Sequence, residues 1–150
     1  MALKNYTSTI SASKSISFIE NKLVANKARD ILKRYDDKGR VESIMFIIPV
    51  NGNDYPFKLP ARLSECEKIL QASLSQRARP ETRRKVKDQA EKTAWKIIAD
   101  WVDAQMALIE LQQAEMMEIF MPYLYNHQKE KTYFEIVKEK GFKAMIEAPK

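Results

Sequence analysis

The chain has 150 residues, with 45% apolar and 31% charged side chains, a composition that supports one soluble globular domain with a real core. Its formal net charge is +6 and its sequence pI about 9.3, which favours an anionic partner. One cysteine, Cys66, rules out an internal disulfide, and no apolar run approaches membrane-spanning length.

The opening residues MALKNYTSTISASK lack an apolar core of signal-peptide type, so a cytoplasmic protein is expected. Residues 1–12 are polar and read as a frayed arm or a short edge strand. Residues 13–25 carry Ile16, Ile19, Leu23 and Val24 at helical spacing, with Ser13 or Ser15 as cap. A β-meander follows. Residues 28–35 lead into the turn cluster Asp36-Asp37-Lys38-Gly39. Residues 40–50 are apolar on both faces from Ile44 onward, as a central strand requires. Asn51-Gly52 is a hairpin turn dipeptide. Residues 54–59 alternate Tyr55, Phe57 and Leu59, and Pro56, which has no N–H, makes this strand an edge.

Pro60 is expected to open a helix through residue 74, with Leu63, Cys66, Ile69, Leu70 and Leu74 inward. After a break at residues 76–79, Pro80 starts a helix predicted to run to Pro122. Its main apolar stripe is Ala90, Ala94, Ile97, Trp101, Ala104, Leu108 and Leu111; Trp95, Ile98, Val102 and Ile109 lie beside it. So wide a face packs on the domain, on a second copy as a homo-oligomer, or on both. A last helix over residues 131–140 ends at Gly141, and the tail beyond it docks through Phe142, Met145 and Ile146. The expected fold is α+β: a three-stranded antiparallel meander covered by helices, with the long helix as spine.

Little catalytic chemistry is legible. The three glycines, Gly39, Gly52 and Gly141, each have a turn or cap role, and no phosphate-cradling loop is present. His127 is the single histidine and has no partner at ligand or triad spacing. Asp100 and Asp103 share a helix face and can in principle hold magnesium, but such pairs commonly mark a solvated face. Cys66 sits between Glu65 and Glu67, which disfavours a thiolate. No enzyme, cofactor or metal is inferred. The aromatic group Phe120, Tyr123, Tyr125, Tyr133 and Phe134 either stacks on unpaired bases beside Lys129 and Lys131 or closes the core.

The feature that points to a function is residues 76–87, QRARPETRRKVK. Arg77, Arg79, Arg83, Arg84, Lys85 and Lys87 face one acid, Glu81, so the segment holds +5 of the net +6. Cations in the first turns of a helix oppose its dipole. The fold gains nothing from them there, and a bound polyanion gives them a purpose. Arg84 with Asp88 and Lys87 with Glu91 can pair along the helix, leaving Arg77 and Arg79 without such partners. From Asp88 to Glu118 seven acids face Lys92 and Lys96, so the helix is basic at its start and acidic at its end. A non-enzymatic nucleic-acid-binding protein, favouring single strands, is the leading expectation. An interaction module docking on an acidic protein surface is the alternative. In both cases a solvated helix face is the plain competing explanation.

The hairpin YDDKGRVESIMFIIPVNGNDYPFKLP and the helix AEKTAWKIIADWVDAQMALIELQQAEMMEIFMPYL together resemble small phage and prophage proteins of unknown function. The resemblance covers roughly residues 10–125. It rests on Ala94, Trp95, Lys96, Asp100, Trp101, Val102, Asp103, Ala104, Gln105, Pro122 and Tyr123. It implies a phage-encoded accessory protein, serving nucleic-acid transactions or disabling a host factor, and no catalytic residue.

Overall fold

The computed structural model describes residues 2–147. It is α+β, with a three-stranded antiparallel sheet of order β1-β2-β3 and a long helical spine. Helix α1 spans Ala12–Ala25 and is capped by Ser11, whose Oγ accepts from the Lys14 N–H at 3.1 Å. Neither serine expected as the cap serves: Ser13 and Ser15 lie inside the helix, and Ser15 is buried. Strands β1 (Arg29–Tyr35), β2 (Val41–Val50) and β3 (Asn53–Pro60) form the predicted meander. Arg40 N–H and Lys38 N–H both donate to the Asp36 carboxylate, which fixes the first turn. Asn51 and Gly52 take φ of 51° and 83°, the left-handed pair a tight hairpin needs.

Pro60 belongs to β3 and not to the next helix. It lies opposite Ser43, and the following Ala61 N–H donates to the Glu42 carbonyl at 2.8 Å. Helix α2 is therefore shorter than predicted, Leu63–Ala72, and Ile69 points outward at 50% exposure. Edge strand β3 carries Pro56 as anticipated, and its outer side is bridged at Phe57 by Leu124.

The spine α3 (Pro80–Glu110) has 31 residues, about 46 Å of helix. It ends well before Pro122 because Gln112 turns left-handed, with φ of 60°. Gln113 N–H donates to Leu108 O and Gln112 N–H to Ile109 O, the paired bonds of a Schellman stop. A separate short helix α4, Met116–Phe120, follows, capped by reciprocal bonds between Glu115 and Glu118. The buried seam of α3 is Val86, Ala90, Thr93, Ala94, Trp95, Ala99, Val102 and Met106. Of the stripe listed first in the sequence, Ala90 and Ala94 are buried and Ile97, Trp101 and Leu108 half-buried, but its C-terminal part leaves the core: Ala104 is exposed and Leu111 is 73% exposed.

The core joins Ile16, Ile19 and Leu23 of α1 to Ile44, Phe46, Ile48, Phe57 and Leu59 of the sheet and to the α3 seam. Phe120 closes it from α4, edge-on to Phe46 at 5.2 Å and to Trp101 at 5.7 Å. The polar N-terminal arm is neither frayed nor a strand. Asn5 Nδ2 donates to Asp100 at 2.8 Å, Thr93 Oγ1 donates to Asn5 O, and Gln89 Nε2 donates to Ser8 O, fastening the arm along α3.

The C-terminal part is a two-stranded ribbon, β4 (Tyr125–Asn126) and β5 (Lys131–Thr132), then α5 (Tyr133–Lys140). Thr132 and Glu135 form a capping box at its start, and Gly141 ends it at φ 83°. The tail meets α5 outside the core, with the Phe142 ring 5.9 Å from that of Phe134. Phe142, Met145 and Ile146 remain 50%, 62% and 86% exposed. Residues 148–150 of that tail lie outside the described residues.

Candidate nucleic-acid interface

The basic segment occupies the loop after α2 and the first two turns of α3. Loop residues are ordered by local bonds: Ser73 Oγ donates to Leu70 O at 2.7 Å, and Ala78 N–H to Ser75 O at 3.0 Å. Arg79 is the extended residue before the helix, with φ −69° and ψ 152°, and its side chain forms no cap bond. Pro80 takes the first helical position, whose N–H has no intrahelical partner in any case. Gln71 Nε2 donates to the Arg83 carbonyl at 3.1 Å and ties the end of α2 to the first turns of α3. No charge or motif marks Gln71 in the sequence; only its fold neighbourhood reveals it.

All six predicted cations are exposed. Every residue from Glu81 to Lys85 is exposed, and Val86, 9% exposed, is the first α3 residue in the core. The helix start therefore projects from the body. At 100° per residue, Arg83 and Lys87 lie on one side, Arg84 at the back and Lys85 on the opposite flank. Arg77 and Arg79 precede them in the loop. The structure thus gathers all six at one end of the spine, around a post and not along a single stripe.

The ion pairs anticipated inside the segment do not form. Among the described residues, none of Arg77, Arg79, Arg83, Arg84, Lys85 or Lys87 has a carboxylate within 4.0 Å. Further along the same helix two acids are matched, Asp100 by Lys96 at 2.7 Å and Asp103 by Lys22 at 3.6 Å, while Asp88, Glu91, Lys92 and Glu110 are also without a partner among the described residues. With Arg79 supplying no side-chain acceptor, the first N–H groups of α3 add partial positive charge to six unmatched cations. Such a post can hold phosphate oxygens through arginine forks and backbone donors.

The other candidates resolve into structural roles. Asp100 accepts from Lys96 and Asn5. Burial pushes its carboxyl up, but these bonds and the charges of Lys96 and Lys4 outweigh that and hold the pKa below the usual carboxylate range. Among the described residues, no three His, Cys, Asp or Glu side chains converge as a metal set. Cys66 is buried against α3, and burial raises its thiol pKa. His127 is exposed and stands edge-on to the buried Tyr125 of the ribbon. Of the aromatic group, Phe120 and Tyr123 pack on Trp101, about 30 Å along the spine from Pro80, Tyr125 is buried, and Tyr133 and Phe134 are exposed. Phe120 and Tyr123, held on Trp101, do not stack beside the basic post. Among the described residues no helix is long and apolar enough to cross a membrane. No family model, no curated protein and no solved structure matches the chain.

Proposed function

We propose that the chain is a non-enzymatic, phosphate-directed nucleic-acid-binding protein, with Arg77, Arg79, Arg83, Arg84, Lys85 and Lys87 as its contacts. One observation carries this: six exposed cations share one projecting end with no carboxylate within ion-pair distance, on a helix start whose dipole disfavours them. Contacts of this kind position a protein on a backbone without reading sequence. The separation of the post from Phe120 and Tyr123 removes stacking on them as a reason to prefer single strands, so strand preference rests on phosphate spacing at the post. The resemblance to phage proteins suits an accessory role in DNA or RNA transactions in the host cytoplasm.

Gel-shift titration at low salt with single- and double-stranded oligonucleotides of mixed sequence tests it. The protein should bind with little sequence preference, and a variant with Arg83, Arg84, Lys85 and Lys87 changed to Ala should lose most of the affinity. An acidic protein surface is the second occupant such a post accepts. Absence of binding to either nucleic acid, with recovery of a host protein that survives nuclease treatment, would transfer the site to that class.

A further inference from the structure

The post is not evenly charged around its circumference. On the α3 wheel, Glu81 and Asp88 fall about 20° apart, and both point about 140–180° away from the buried Val86 and Ala90. They form the outermost line of the helix start. Both are exposed and, among the described residues, without an ion-pair partner. Arg84 stands about 40–60° to one side of that line, with Lys87 and then Arg83 beyond it, and Lys85 stands about 40–60° to the other. The outward face thus carries two carboxylates along its middle and a cation on each flank. From Pro80 to Asp88 every residue but Val86 is exposed, which leaves about 12 Å of helix free of the body.

This pattern separates one phosphate row from two. A flat polyanion laid on the outward face meets Glu81 and Asp88 first, carboxylate against phosphate. A single strand avoids them by following one flank, along Arg84, Lys87 and Arg83, and then leaves Lys85 without a phosphate. The major groove of B-form DNA accommodates all of these charges together. It is about 12 Å wide, and a helix with its side chains is about 10–12 Å across. Its walls are phosphate rows, within reach of Arg84 and Lys87 on one side and of Lys85 on the other. Its floor holds no phosphate, and cytosine and adenine present amino donors there, from which a carboxylate accepts. The major groove of duplex RNA is too narrow and deep to take a helix in this way.

We propose that the post enters the major groove of B-form duplex DNA, with Glu81 and Asp88 toward the base edges and Lys85 on the phosphate wall opposite Arg84 and Lys87. The assignment rests on the phosphate-directed function proposed above and specifies the nucleic acid. Competition anisotropy on the full chain tests it, with a mixed-sequence DNA duplex, each of its single strands and the same duplex as RNA. Duplex DNA should bind about tenfold tighter than the single strands or the RNA duplex. Lys85→Ala should flatten log affinity against log salt by about 0.9 on duplex DNA and leave the single-strand slope unchanged, since only the duplex gives Lys85 a phosphate. A duplex in which glucosylated 5-hydroxymethylcytosine replaces cytosine has a filled major groove and should bind about tenfold more weakly, whereas netropsin in the minor groove should change little. Single strands bound as tightly as the duplex, a Lys85→Ala effect shared by both, or indifference to the filled major groove would overturn the groove assignment and leave phosphate binding standing. Binding to none of the three nucleic acids at low salt would overturn both.

Discussion

The indole of Trp95 is fully buried and donates to the Val41 carbonyl at 2.9 Å, joining the spine to the central strand. Trp95→Phe keeps most of the packing and removes the donor, leaving a buried carbonyl short of one partner. It should cost about 1–3 kcal/mol, read as a lower urea midpoint with an unchanged slope. A few residues along, Asp100 fastens the N-terminal arm through Asn5. Its pKa in the folded state lies below the ordinary 3.8, so the stability it supplies is present above about pH 4 and is lost as pH falls through the folded value. Asp100→Asn should flatten the acid limb of stability against pH below about 4. An unchanged limb would show that the arm contacts do not hold in solution.

The elements divide into those whose signals are local and those decided by packing. The meander was legible because Asp36–Gly39 and Asn51-Gly52 are turn chemistry written in the chain, and because Pro56 marks an edge. The length of the spine was not. Its stop uses Gln112 in the left-handed region, where sequence rules look for glycine or asparagine. Gln112→Gly should relieve that conformation and raise stability by about 0.5–1 kcal/mol, visible as a higher Tm. Within the wide apolar face, Ala90, Ala94, Trp95 and Val102 are buried as expected, and Thr93 joins them because its hydroxyl finds an acceptor in Asn5 O. The basic site was legible as composition; that its cations would be unpaired was not, since spacing allowed Arg84–Asp88 and Lys87–Glu91 pairs. Arg79 occupies the cap position without capping. Arg79→Asp should therefore raise stability by about 1 kcal/mol, through a new cap and a better dipole match, while weakening nucleic-acid binding. A fall in both would mean that Arg79 serves the fold.

At the scale of the whole molecule, charge and apolar surface are segregated along about 46 Å of helix. The positive post stands at one end, the docked N-terminal arm and sheet occupy the middle, and an exposed apolar cleft between Met121, Phe134 and Phe142 lies at the other.

The most direct measurement is fluorescence anisotropy of labelled single-stranded oligonucleotides across salt, for the chain and for a variant with Arg77, Arg79, Arg83 and Arg84 changed to Ala. If about four phosphates are neutralised at the post, log affinity should fall with log salt at a slope near −3, about −0.7 per phosphate, and the variant should lose most of that slope. A slope retained by the variant would place the contacts elsewhere. An affinity that does not change with salt would contradict phosphate binding at this end of the molecule.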